Sequence, residues 1–313
     1  MAALASAPLW ARSASSQPRV PVVGVLVTGN RDPAPFLNVF KEEMSRLGYN
    51  EGQNVRIEVR SAENRTEALA DLATGLVESQ VDVIVAWLTP AVRAARQATS
   101  QIPIVMAGAG DPVATGLVAS LARPGGNVTG MAGVTAELAG KSVELIRELL
   151  PSAKKLVALC NATDSFTKPF LGQIQIACSK TAFELNPVMI QAPDELESSL
   201  SRISREGTDA ILVQPSLPSK RVAELALAMR CPAVSPIESF TGDGGLLAYS
   251  GRSSDQFRQA AMYVDKILRG SHPGDLPVQL PTQFDLKINL KTAKVLGLTI
   301  PPAMLARADE VIE

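Results

Sequence analysis

Histidine is all but missing from this 313-residue chain, where His272 is the single one. It sits in Ser271-His272-Pro273-Gly274, a turn-forming stretch, so neither a Ser-His-Asp triad nor a histidine-based metal centre is expected. Cysteine is scarce as well. Cys160, Cys178 and Cys231 lack metal-ligand spacing, and an odd number leaves a free thiol, which excludes a disulfide scaffold. No excess of charge exists: the formal net charge is -1, with basic residues scattered singly. A nucleic-acid surface needs a basic stripe, so no nucleic-acid partner is expected. No segment approaches the ~18 uninterrupted apolar residues of a membrane span. Glycine-rich phosphate loops are lacking too. Gly108-Ala109-Gly110 has neither a third glycine nor a Gly-Lys-Ser/Thr ending, and Pro124-Gly125-Gly126-Asn127 precedes a strand, so no nucleotide cofactor is expected.

What is present is a globular composition, with 46% hydrophobic and 19% charged residues. Residues 2–11 are small or apolar and residues 12–17 polar, like the back half of a secretory signal without its basic start. Residues 1–19 are therefore expected to be a truncated signal sequence or a disordered tail, and the protein to be exported to the periplasm.

From Val20 onward, short β-branched runs alternate with segments of helical period. Val22 to Val27 predicts a strand. Leu37, Phe40, Met44 and Leu47 then mark one helix face, with Gly48 as its stop. Strands over Val55 to Val59, Val81 to Trp87 and Ile102 to Met106 follow. The pattern restarts with strands at Lys155 to Cys160, Val188 to Gln191, Ala210 to Val213 and Ala233 to Val234. Asp194 with Glu197 predicts a capping box. Continuous apolar strands each followed by an amphipathic helix imply parallel sheets covered on both faces.

The predicted fold is thus α/β, with two Rossmann-like lobes. The tail adds a strand at Gly245 to Tyr249, a helix through Phe257, Ala260, Ala261, Val264, Ile267 and Leu268, and a last strand–helix pair. This surplus predicts recrossing between lobes and a multi-crossover hinge. The expected division is residues 20–130 with 250–277 for one lobe, and 131–249 with 278–313 for the other.

Ligands of parallel α/β sheets sit beyond the carboxyl ends of the strands. Those ends supply Thr28 and Asn30, then Thr89, Pro90 and Ala91, then Asp111, and in the second half Asn161, Ser216 and Glu238. Thr89 before Pro90 predicts an N-cap whose free amides suit an anion. Asp111, Asp164 and Glu238 suit a ligand ammonium. Trp87, Phe166, Phe240 and Tyr249 also lie near strand ends. Cys160-Asn161-Ala162 resembles the Cys-Asn-Thr signature of aspartate/glutamate racemases, but the partner Cys-Thr-His-like segment of that family is absent.

The chain is further similar to the ABC-transporter substrate-binding family of the tryptophan/tyrosine-binding type, within the type I periplasmic-binding-protein fold. The likeness rests on Leu47-Gly48-Tyr49 with Glu51-Gly52-Gln53-Asn54-Val55, Ile102-Pro103-Ile104-Val105, Asp111-Pro112-Val113 with Thr115-Gly116-Leu117-Val118, Leu121 through Gly130, and Ile288-Asn289-Leu290-Lys291-Thr292-Ala293-Lys294. The resemblance implies a non-catalytic monomer without cofactor, which binds a small molecule between its lobes and delivers it to an inner-membrane ABC permease. An amino acid or small carboxylate is the expected ligand. A ligand-sensing subunit for a receptor kinase is the alternative, followed by a racemase-like enzyme using Cys160.

Overall fold

The apolar runs of the first half become strands, most of them buried along nearly their whole length, in a computed structural model that describes residues 19–29, 33–63 and 65–313. The strands are β1 (Val22–Val27), β2 (Arg56–Ser61), β3 (Val83–Trp87), β4 (Ile104–Gly110) and β5 (Val128–Gly133). They form one parallel sheet in the order β2-β1-β3-β4-β5. Alternation explains the two-sided burial. In β1, Val22 and Leu26 enter the core under helices α2 (Leu69–Glu78) and α3 (Leu88–Ala98). Val23, Val25 and Val27 enter the opposite core with Phe36, Phe40 and Met44 of helix α1 (Ala34–Arg46). Each fully buried side chain of this size contributes about 1.5–3 kcal/mol.

The second sheet contains β6 (Lys155–Asn161), β7 (Glu184–Ile190), β8 (Ala210–Val213), β9 (Ala233–Ser235), β10 (Leu247–Gly251), β11 (Phe284–Asn289) and β12 (Glu310–Ile312). Its order is β12-β11-β10-β9-β8-β6-β7. It departs from the expected all-parallel arrangement at one pair, since β10 and β11 run antiparallel. Helices α4 (Thr135–Leu149) and α5 (Thr167–Thr181) cover one face of this sheet. Helices α6 (Glu195–Glu206) and α7 (Ser219–Ala228) cover the other. The short α8 (Ser239–Gly242) follows β9. The predicted capping box does not form: Asp194 precedes α6 without a side-chain cap, and Glu195 accepts the Gln191 N–H instead.

Three passages join the lobes. The first runs from β5 into α4. The second leaves β10 for α9 (Ser253–Leu268), whose Phe257, Ala260, Ala261 and Val264 pack beside α1 in the first lobe. The third returns through Gln279, which pairs with Met131 of β5, and continues into β11. Arg252 ties the second passage to the third. Its guanidinium donates to both Asp285 carboxylate oxygens at 3.0 and 2.8 Å, and its backbone N–H to the Gln283 carbonyl. Helices α10 (Leu290–Leu296) and α11 (Pro302–Leu305) close the second lobe. Of the described residues, no helix is long and apolar enough to cross a membrane.

Candidate ligand-binding cleft

The carboxyl ends of the two sheets meet. Trp87, Leu88 and Gly108 of the first lobe and Pro215, Pro236, Ile237 and Glu238 of the second line a void of about 40 Å³. Its base is made by the passages themselves, through Gly133, Ser250, Gly251 and Pro281. On one flank lies a cavity of about 480 Å³, walled by Phe36, Trp87 and Phe257 on the first-lobe side and by Glu238, Asp243 and Lys287 on the second. On another flank, about 670 Å³ opens between Arg65, Pro90 and Arg93 of the first lobe and Thr163, Gln191 and Asp194 of the second.

On the first lobe, Thr28 is buried and donates its hydroxyl to the Trp87 carbonyl at 2.9 Å. Asn30 lies outside the described residues. Thr89 is not the helix cap that Thr-Pro suggested. The chain turns from strand to helix through Leu88, whose φ of +68° is rare for a side-chain-bearing residue, and Trp87 takes the N-cap position. Thr89 is thereby inside α3, where its hydroxyl accepts the buried Gly110 N–H at 3.0 Å. Ala91 is fully buried in the first-lobe core, and Pro90 faces the Arg93 flank. Asp111, with φ +32°, accepts the Ala114 N–H and shapes its own turn. Backbone in such regions costs about 1–3 kcal/mol, so two such residues at neighbouring strand ends mark the first-lobe face as specialised.

On the second lobe the candidates form one network. Ser216 and Gln214 donate to the same Asp164 oxygen at 2.7 and 2.9 Å, and the Phe166 N–H donates to the other at 2.9 Å. The Gln214 amide oxygen accepts from the Asn161 N–H and the Thr167 hydroxyl, while the Asn161 side chain accepts from Thr163. Burial pushes the Asp164 carboxyl above its ordinary range, against these hydrogen bonds and the charge of Arg93. Asn161 and Ser216 therefore spend their visible bonds on fixing the Asp164–Phe166 loop. Phe166 is 3% exposed, and its ring reaches across to Gly110.

Glu238 is committed on both oxygens. One accepts the Ser253 N–H at the start of α9 at 2.9 Å, and the other pairs with Lys287 at 2.8 Å. Burial opposes its charge, yet Lys287 and Ser253 hold its pKa below the usual carboxylate value. Phe240 and Tyr249 do not reach the cleft. Phe240 is sealed beneath Gly245, and Tyr249 packs on Phe284. Sequence reasoning missed Ser250, Gln256 and Lys287, because only the recrossing passages and α9 carry them to the cleft.

Chemistry from Cys160 is disfavoured. The thiol is buried and its pKa is pushed up to about 12, first by burial and then by Asp164, so it is a poor proton acceptor at neutral pH. Cys178 and Cys231 are also buried and free.

A sequence model of the ABC transporter substrate binding protein family matches residues 36–312. The chain belongs to this family. It is thus the solute-binding component of an ABC transporter, and such proteins of ABC importers work outside the cytoplasm. A curated tyrosine-binding protein of Clostridioides difficile (strain R20291) is 28% identical over 265 residues, covering 83% of this chain and 75% of the relative. A crystal structure of an ABC domain from Streptococcus pneumonia in complex with L-Trp is 26% identical, with a TM-score of 0.85 over 94% of this chain and 100% of that one. A conserved domain protein of Vibrio cholerae gives 27% identity and the same TM-score and coverage. The Clostridioides relative is named a binding protein and the Streptococcus domain was solved with a bound amino acid, and the α/β architecture of this chain is that of type I periplasmic binding proteins.

Proposed function

We propose that this substrate-binding protein is exported to the periplasm, works as a monomer, and hands an aromatic amino acid to an ABC permease. The observation that carries the ligand class is the interlobe cavity of about 480 Å³ with Phe36, Trp87 and Phe257 on one wall. Its size falls within that of small-molecule sites, which are mostly apolar with a few polar groups to orient the ligand. The rings form a stack-and-edge cluster: Phe36 and Trp87 centroids lie 6.1 Å apart, and Phe257 meets Phe36 edge-on at 4.6 Å. Relatives named for tyrosine and solved with L-Trp support the same class.

In this reading the ligand carboxylate faces the first turn of α3, around Thr89, Pro90 and Ala91, where the positive end of the helix dipole favours an anion. Thr28, Asp111, Asn161 and Ser216 shape the surrounding loops, and the three passages form the hinge. Titration calorimetry of the purified protein with L-tryptophan and L-tyrosine tests it. Binding of at least one in the micromolar range or tighter is expected, and absence of heat with both at millimolar concentration overturns the aromatic reading.

A further inference from the structure

Ser250 is an unexplained polar group of the cleft. Its side chain is 3% exposed, and its Oγ is buried without a hydrogen-bond partner. It lies on β10, just before the second passage, and lines the void at the cleft base together with Glu238 and Gln256. Buried hydroxyls are nearly always satisfied, so an orphan beside an interlobe void points to a group that arrives from outside. A void of about 40 Å³ suffices for the polar head of a ligand, and is too small for an aromatic side chain.

The lining also decides which head fits. Pro215, Pro236 and Pro281 bring carbonyls but no N–H, and the void itself has no cationic side chain among its described residues. Glu238 is its charged member. In the adjoining cavity, Asp243 and Glu310 add two more carboxylates, against the single ammonium of Lys287. Lys287 is already shared between Glu238 and Glu310. An anion placed here meets these carboxylates, whereas a cation meets their complement, and the Ser250 hydroxyl can accept from it.

Resting on the proposed aromatic ligand, we infer that the ligand's ammonium group enters this void, donates to the Ser250 hydroxyl and sits against Glu238, while its apolar body lies in the Phe36–Trp87–Phe257 cavity. Ser250 is then a binding residue on the hinge itself. Closure of the passages and recognition of the amine become one event, because the atom that reads the amine moves with the strand that bends.

The test is calorimetry with three probes on the wild type and on Ser250→Ala. L-Tryptophan carries both charged groups, tryptamine only the ammonium, and 3-indolepropionate only the carboxylate. Tryptamine is expected to bind at least tenfold more tightly than 3-indolepropionate. Ser250→Ala is expected to weaken L-tryptophan and tryptamine by roughly ten- to a hundredfold, the range for a hydrogen bond to a charged group. It is also expected to leave the melting temperature of the unliganded protein unchanged or raised, since it removes an unsatisfied buried hydroxyl. A merely structural serine would lower the melting temperature and spare affinity, which overturns the inference. Equal or better binding of 3-indolepropionate than of tryptamine overturns the ammonium assignment and leaves the aromatic reading standing. Binding of none of the three overturns that reading and the inference together.

Discussion

The ring of Phe166, carried by the second lobe, covers Gly110 of the first so closely that a Cβ at position 110 would lie 2.6 Å from it. No real Cβ tolerates such a contact, so the approach of the lobes depends on the missing side chain. Gly110→Ala is expected to hold the cleft ajar and to weaken ligand binding by at least roughly tenfold, because the ligand's contacts belong to the closed form. Phe166→Leu in the same chain should restore part of the loss. Calorimetry on the two single variants and the double variant measures the coupling, and additive effects would show that the two residues do not meet during binding.

Thr89 has two roles that a single substitution separates. Thr89→Val orphans the buried Gly110 N–H, at a cost of about 1–3 kcal/mol in stability. If the α3 turn also holds the ligand carboxylate, the folded variant should lose about tenfold in affinity for L-tryptophan and much less for L-tryptophanamide. An equal loss for acid and amide would leave Thr89 a purely structural residue.

Asp164 makes a prediction with a definite sign. Its folded pKa is raised by burial, so the native state holds this proton more tightly than the unfolded chain. Relative stability is then greatest below the unfolded pKa, about 4, and is lost as pH rises through the folded value. The stability of wild type minus that of Asp164→Asn should therefore fall as pH climbs from about 4, and denaturant midpoints across the range measure it. A constant difference would mean that burial exacts no charge penalty here.

Cys160 should be dispensable. Cys160→Ser places a hydroxyl in a buried apolar site and should lower stability, while ligand affinity stays within roughly tenfold, about 1.4 kcal/mol. Exchange of an amino-acid α-proton in heavy water by the wild type, lost in the variant, would instead mark an enzyme.

The strands and the recrossing tail were legible because their signals are local. Six consecutive apolar residues from Val22, or a helix stripe from Phe257 to Leu268, carry their own periodicity. The strand-end loops were legible as a set, since parallel α/β order alone places them at the cleft. Their individual roles were not. Thr89-Pro90 has the composition of a cap, but the left-handed turn at Leu88 moves the helix start and sends the hydroxyl to Gly110. Glu238 has the position of a ligand acid, yet Lys287, 49 positions on, also pairs with it while sharing its charge with Glu310. The Phe166–Gly110 contact was not legible in sequence, because the two residues lie on different lobes and more than 50 positions apart. Ser250 gave no motif at all; its meaning comes from being buried, unpaired and beside a void.

The proposed function requires a small molecule to bind between two hinged lobes and to be gripped by both. Small-angle scattering of the protein, alone and with L-tryptophan at a concentration shown by calorimetry to saturate it, tests this most directly. A smaller radius of gyration is expected in the bound state, as the open population is drawn into the closed form in which Phe166 covers Gly110. An unchanged radius at full saturation would contradict it.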